Sequence, residues 1–354
     1  MFRISFLILL FSFQNLCAQK NIVSANHSHL YYQGRTIPQQ DAKGLSWPGS
    51  SVTITFKGTG VNAVILDTDT ADYYNIIVDG KVLRRIHIDT VKHSYQLVSG
   101  LARGRHTLQL FKQTESEKGM AVLSGFEIDG KIKRSKKPKR KVEFYGNSIT
   151  CGYAIDDSSG KDSGNGYFES NYDSYSAITA RYFNAEYRCV AKSGIGMMIS
   201  WGPLIMPEMY DRLMESDSSV KWNFDLYKPD VVVINIFQND AWLTKRPDYP
   251  EFKRRFPGGA PIEQEIIASY KSFVQDIRRK YASAKIICVL GSMDATKEGS
   301  PWPGYIQQAV KQLNDRNIFT HFFQFNNTTG HPNRKEHQLM ADNLIKFIEE
   351  NIEW

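Results

Sequence analysis

Cysteine is scarce in this sequence and long apolar runs are scarcer, and each shortage removes a class of protein. Of four cysteines in 354 residues, Cys17 lies in an apolar leader, which leaves Cys151, Cys189 and Cys288. An odd, scattered set makes no disulfide framework and lacks the paired spacing of a zinc site, so these three read as small core residues. No stretch reaches the roughly 20 apolar residues that a membrane-spanning helix requires. The longest, Ile4 to Phe13, follows Arg3 and closes on Ala18, the layout of a cleaved signal peptide over residues 1–18. The mature chain is therefore expected to be soluble, secreted or periplasmic, with no integral membrane segment once the signal is removed. Gln14, Asn15 and Leu16 are a poor approach to a lipidated cysteine, which argues against an anchor at Cys17.

Acidic residues are missing from one place only. Lys131 to Lys141 (KIKRSKKPKRK) holds eight basic residues and no acid, and without it the net charge of +7 becomes −1. The basicity is thus one local run, which reads as a solvated linker over residues 131–141 rather than a nucleic-acid surface. A chain of this length has room for two domains.

Before the linker the pattern is β. Ser51 to Phe56, Val61 to Leu66 and Tyr74 to Val78 alternate apolar and polar residues. Turn signals interrupt them at Lys57 to Gly60, Asp79-Gly80, Arg103 to Arg105 and Asp129-Gly130, at the spacing of an all-β sandwich over residues 19–130. Asp67, Asp69 and Asp72 match no complete calcium loop and read as a solvated hairpin tip. After the linker, buried strands at Val142 to Tyr145, Val231 to Ile236 and Lys285 to Leu290 alternate with helical periods at Tyr172 to Phe183, Ile262 to Tyr281, Tyr305 to Asn314 and Asn333 to Ile352. Residues 142–354 therefore read as an α/β domain whose parallel sheet is covered on both faces.

The sharpest local signal is Phe144 to Gly152 (FYGNSITCG), a strand running into Gly-Asn-Ser. Loops at the carboxyl ends of such strands open into the binding crevice. Ser148 there either exposes its hydroxyl or caps the next helix, and the motif alone leaves both open. As a nucleophile it requires a histidine base. Three histidines fall in this half. His321 shares a strand face with Phe319, Phe323 and Phe325, and His337 falls inside the last helix, so both read as packing residues. His331, between Gly330 and Pro332 in a loop, is the candidate base. Donors for an oxyanion are offered by the glycine loop Lys192 to Gly196 and by Asn239 in Gln238 to Asp240. Trp302, and then Trp242 and Trp201, are candidate stacking faces for a sugar.

The ordered set Gly-Asn-Ser, Ser-Gly-x-Gly, Asn-Asp and His-Pro resembles that of the SGNH (GDSL-like) hydrolases. With a β-sandwich in front, the chain is most similar to carbohydrate esterase family 2, the acetylxylan esterases. The resemblance covers nearly all of the mature chain. It implies a jelly-roll-like sandwich followed by a three-layer, flavodoxin-like α/β domain, and a metal-free, cofactor-free serine esterase acting on acetylated polysaccharides or oligosaccharides. It implies Ser148 as nucleophile, His331 as general base, and the Ser148 backbone, Gly194 and Asn239 as the oxyanion hole.

Two departures stand out. Phe237 occupies the place of a glycine that usually precedes the Asn-Asp pair by two residues, so the local backbone path is open while Asn239 stays in register. The aspartate usually found two or three residues before the histidine is replaced by Thr328 and Thr329. The expectation is therefore a Ser-His dyad, with His331 held by main chain near Thr328 or Thr329 and with Glu336 and Asp294 dispensable. The competing readings are another ester (acetylated pectin, a sialic acid or, with no apolar lid, less readily a lipid) and a carbohydrate-binding protein that has lost turnover. The missing acid and Phe237 favour the last.

Overall fold

The structure, a computed structural model, describes residues 20–327 and 330–354. The leader with Cys17, and Thr328 and Thr329, lie outside the described residues. Ten strands from Asn21–Ser24 to Ala121–Lys133 pair antiparallel. Their spine is Ser51–Asp67, 17 residues long. One of its edges pairs with Tyr31–Gln33 and then with Ala121–Lys133, the other with Gly104–Lys112 and then with His93–Val98. These changes of partner wrap the strands into a sandwich around Phe56, Ile65, Tyr74, Leu110 and Phe126.

Two of the four expected turns are something else. Lys57–Gly60 and Asp129-Gly130 lie opposite each other inside paired strands, where Gly60 faces Asp129, Gly58 faces Gly130 and Thr59 bulges. A Cβ on Gly58 would stand 1.8 Å from the Asp129 carbonyl oxygen. Close approach at a bulge, not chain reversal, is what demands glycine there. Asp79-Gly80 does reverse the chain, with φ of 49° and 80°, as a two-residue hairpin requires.

The acidic cluster also differs from expectation. Asp69 is exposed, but Asp67 and Asp72 are buried. Tyr74 donates its hydroxyl to both carboxylates, and the buried Lys112 ammonium pairs with Asp72. The hairpin folds its carboxylates inward because a cation waits there.

In the second domain five parallel strands lie in the order Ala185–Ala191, Arg140–Gly146, Val231–Asn235, Lys285–Leu290, Ile318–Phe322. This is the flavodoxin-like order, with its switch point at the first strand in sequence. Alternation divides the strands between two cores: Val232, Ile234 and Ile286 face the helices Glu263–Lys280 and Trp302–Leu313, whereas Phe144, Val233 and Ile287 face Tyr175–Tyr182 and Arg334–Asn351. All three described cysteines are free and buried, as core residues should be. No described helix is long and apolar enough to cross a membrane.

The basic run is only partly a linker, since Lys131–Lys133 completes the last sandwich strand and Arg140–Lys141 begins the first parallel one. Between them Ser135 is pinned by the His29 carbonyl. A stronger joint is Arg35, from the first domain. It donates to the Tyr210 and Arg212 carbonyls at 2.6 and 2.8 Å and pairs with the buried Glu143 at 3.3 Å.

Candidate active site

The carboxyl ends of four strands meet at one place, and each loop follows from its local sequence. Gly146 ends the first strand, and a Cβ there would lie 2.0 Å from Thr150 Oγ1, so the turn closes only with glycine. Asn147 then caps the short helix Ser148–Cys151, accepting from Ile149 N at 3.1 Å. Asn147 therefore does the capping that Ser148 was weighed for, and the Ser148 hydroxyl turns instead to His331 Nε2 at 2.7 Å.

The other side of His331 corrects the sequence expectation. Its Nδ1 meets Asp162 Oδ2 at 2.6 Å, and its backbone N–H donates to Asp162 Oδ1 at 3.0 Å. A side-chain carboxylate orients the ring; the main chain of Thr328 and Thr329, expected in that role, lies outside the described residues. An ionised carboxylate only accepts, so Nδ1 carries the proton and Nε2 presents its lone pair to Ser148. Burial works to raise the Asp162 carboxyl, and the hydrogen bonds and charge of His331 outweigh it, leaving the group below its ordinary range. Asp162 stands in the loop after the Ser148 helix at φ 57°. That loop is braced by Asp157, which accepts from Ser159 and Ser163 N–H at 2.9 and 2.8 Å. Sequence reasoning missed it because Asp162 is 169 residues from His331 and sits in a polar stretch with no motif. The other carboxylates weighed for this role have work elsewhere: Glu336 closes the N-terminus of Arg334–Asn351, and Asp294 accepts from Trp242 Nε1.

His321 bonds Asn343. His337 is fully buried and accepts from Tyr175 N at 3.1 Å, and burial first, then the proximity of His331, lowers its ring to about 3. Neither is placed to act as a base.

Gly194 follows the second strand at φ 76°, and a Cβ would lie 3.1 Å from Trp201 Cβ. Among the described residues neither Gly194 N–H nor Ser148 N–H has an acceptor. Asn239 is oriented at both ends of its amide: Trp201 Nε1 donates to Oδ1 at 3.1 Å, and Nδ2 donates to the Ile195 carbonyl at 2.7 Å. One amide hydrogen is left over. Asp240 is buried and accepts from Met197, Met198 and Ile199 N–H, the shortest at 2.7 Å; burial raises its carboxyl to about 6 against those bonds. The Asn-Asp pair thus presents one side chain and uses the other to shape the loop after Gly194.

Phe237 takes the glycine path at its own expense. Its φ is 96°, in the region that L side chains avoid, and its fully buried ring packs on Tyr270 and Trp302 at 4.9 Å. Phe237→Gly is expected to relieve about 1–3 kcal/mol of backbone strain but to lose about 3–5 kcal/mol of ring packing. Thermal denaturation should therefore register a net loss of stability.

The tryptophans rank differently than expected. Trp302 is 3% exposed, packed edge-on against Phe237 and Tyr305, whereas Trp201 is 41% exposed. Trp302 led the sequence-based candidates, yet its faces are spent in the core. It nonetheless lines a cavity of about 660 Å³ together with Trp201 and Trp242, and with Lys245, Arg246 and Glu298. The described residues include no group of three or more His, Cys, Asp or Glu side chains arranged to hold a metal.

Comparison with known proteins supplies an independent line. A model of the carbohydrate esterase 2 N-terminal domain matches residues 32–138, and one of the GDSL-like lipase/acylhydrolase family matches residues 144–341. The cellulase/esterase CelE of Acetivibrio thermocellus is 33% identical over 92% of this chain, which spans 40% of the length of that relative. An acetylxylan esterase / glucomannan deacetylase of Cellvibrio japonicus is 23% identical, with 96% of this chain and 94% of that protein aligned. Among solved structures, a family two carbohydrate esterase from Clostridium thermocellum in complex with cellohexaose superposes with a TM-score of 0.81 at 31% identity, covering 91% of this chain and 98% of that one.

Proposed function

From the premise that the chain belongs to carbohydrate esterase family 2 of the GDSL-like acylhydrolases, we propose that it is a serine esterase removing O-acetyl groups from xylan- or mannan-type polysaccharides through an acyl-serine intermediate. The observation that carries this reading is the unbroken contact from Ser148 Oγ through His331 to Asp162. Nε2 takes the hydroxyl proton as Oγ attacks the acetyl carbonyl carbon. The negative oxygen so formed is met by the Ser148 and Gly194 N–H groups and the free amide hydrogen of Asn239. Nε2–H then protonates the departing sugar oxygen, leaving acetyl on Ser148. Water, deprotonated by the same nitrogen, releases acetate and restores the serine. Trp201, bonded to Asn239, and Trp242 border the cavity that Trp302 also lines and are the sugar contacts of this proposal. The leader read in residues 1–18 supports export, where an extracellular polysaccharide is met.

Acetate release from acetylated xylan, glucomannan and pectin, with Ser148→Ala as the inactive control, tests the assignment. Release from xylan or glucomannan is expected. Retained binding to all three with no release would instead mean a binding protein, a reading weakened now that Asp162 supplies the missing acid and Phe237 follows the glycine path. Asn239→Ala is expected to lower kcat by about 10²–10³, the usual effect of losing one oxyanion donor, with little change in KM.

A further inference from the structure

The first domain reaches into this site through one buried carboxylate. Glu115 lies just before the short 3-10 turn Ser116–Lys118 and is 1% exposed. Its Oε2 accepts the Ser193 N–H at 2.5 Å, and its Oε1 accepts the Ser193 hydroxyl. Ser193 immediately precedes Gly194. The next acid of the turn, Glu117, pairs with Lys192 Nζ at 2.6 Å, so two consecutive residues before Gly194 are tied to the sandwich.

The same turn holds the opposite loop. Glu115 N–H donates to Glu169 Oε2 at 3.0 Å, and Lys118 Nζ lies 3.7 Å from Glu169 Oε1. Glu169 ends the loop that carries Asp162. That loop meets the sandwich again at Gly166, where a Cβ would stand 2.2 Å from the Ala71 carbonyl oxygen, and at Tyr167, whose carbonyl accepts from Arg85 at 2.6 Å. Behind the turn, Lys112 sits in its buried pair with Asp72.

Burying a carboxylate is costly unless hydrogen bonds satisfy it, and those of Glu115 go to Ser193, the residue before Gly194, while its backbone N–H holds Glu169 at the end of the loop that carries Asp162. Resting on the catalytic reading above, we propose that Glu115 is a positioning residue contributed by the β-sandwich, which holds Ser193 so that the Gly194 N–H faces the developing oxyanion. The sandwich is then a working part of the esterase, not a neighbour of it.

The test uses the full chain with Glu115→Ala, Glu115→Gln and Ser193→Ala, assayed on 4-nitrophenyl acetate and acetylated xylan. Glu115→Ala is expected to lower kcat about 10–100-fold, the scale of a misplacement of about 1 Å, with KM within about twofold. Glu115→Gln recovers most of the loss, because its amide oxygen accepts the Ser193 N–H while its amide N–H donates to the hydroxyl, which can reverse its role. A simple folding defect would not divide kcat from KM in this way, nor be mended by the amide. Ser193→Ala, which keeps the backbone bond, is expected to lose several-fold in kcat and stands in should Glu115→Ala not fold. Amide hydrogen exchange across residues 192–196 is read in parallel and should quicken at least tenfold in Glu115→Ala. Wild-type kcat and unchanged exchange in Glu115→Ala, or Glu115→Gln no better than alanine, overturns the proposal. Full activity in Ser148→Ala overturns the catalytic reading instead, and the exchange data still judge whether Glu115 holds the loop.

Discussion

Asp162→Asn is expected to lower kcat by about 10³–10⁴, short of the loss from Ser148→Ala or His331→Ala, with the fold intact by circular dichroism. The scale is that seen when the acid of a serine triad becomes an amide. The cause is the tautomer. Asp162 Oδ2 accepts from His331 Nδ1 at 2.6 Å, so the proton is kept on Nδ1 and Nε2 stays free to accept from Ser148. An asparagine that rotates its amide nitrogen toward Nδ1 donates there, forces the proton onto Nε2 and leaves Ser148 without a base. Asp162→Ala removes the same orientation without imposing the wrong tautomer and is expected to lose less. Glu336→Gln, which retains an oxygen for the helix N-terminus, should turn over within about twofold of wild type. Initial rates of acetate release decide the matter, and wild-type kcat in Asp162→Asn would mean that the carboxylate contact is not used in turnover.

Lys112→Met, outside the site, is expected to be strongly destabilising. The ammonium is buried and pairs with Asp72, with Asp67 joined through Tyr74. Removing the cation from a buried ion pair typically costs about 3–5 kcal/mol. Its pH dependence follows from Asp72, whose carboxyl burial raises from 3.8 to about 7 against the pull of Lys112. A carboxyl raised on folding holds its proton more tightly in the folded state, so its contribution to stability is fully present below the unfolded value and is lost as pH climbs through the folded one. Without the ammonium the carboxyl rises further, and keeping it ionised becomes harder still. The deficit in melting temperature should accordingly be small near about pH 5 and largest near about pH 8. A deficit that shrinks toward alkaline pH would contradict the pairing. Because Lys112 backs the turn that carries Glu115, the variant should also lose kcat before it unfolds.

Much of the architecture is legible in the residues. Alternation at Val61 to Leu66 and the apolar run Val231 to Ile236 report which faces are buried, and the helix Arg334–Asn351 falls within a residue of its predicted start because Asn333 caps it and Glu336 returns the bond. The loops that follow strands are legible for the same local reason. What misled is equally physical. Lys57 to Gly60 and Asp129-Gly130 look like turns because glycine marks any unusual backbone, and only the pairing of Gly58 with Gly130 identifies a bulge. Asp67 and Asp72 look solvated because Lys112, their cation, is 45 and 40 residues away in sequence.

By itself, then, the sequence determined that the chain has two domains, that the second is a parallel α/β sheet, and that Ser148, Asn239 and His331 lie in the segments that follow its strand ends. Each is a matter of residues a few positions apart, where periodicity, capping and turn chemistry act. Only the tertiary structure decided that Asp162 completes the contact with His331, that Glu115 of the sandwich grips Ser193, that Phe237 bears a glycine's backbone, and that Trp201 rather than Trp302 keeps an exposed ring. Those are encounters between segments brought together by strand order and by the docking of one domain on the other. No local pattern carries them, since a carboxylate in a polar loop has the same surroundings in sequence whether it faces solvent or a histidine 169 residues away.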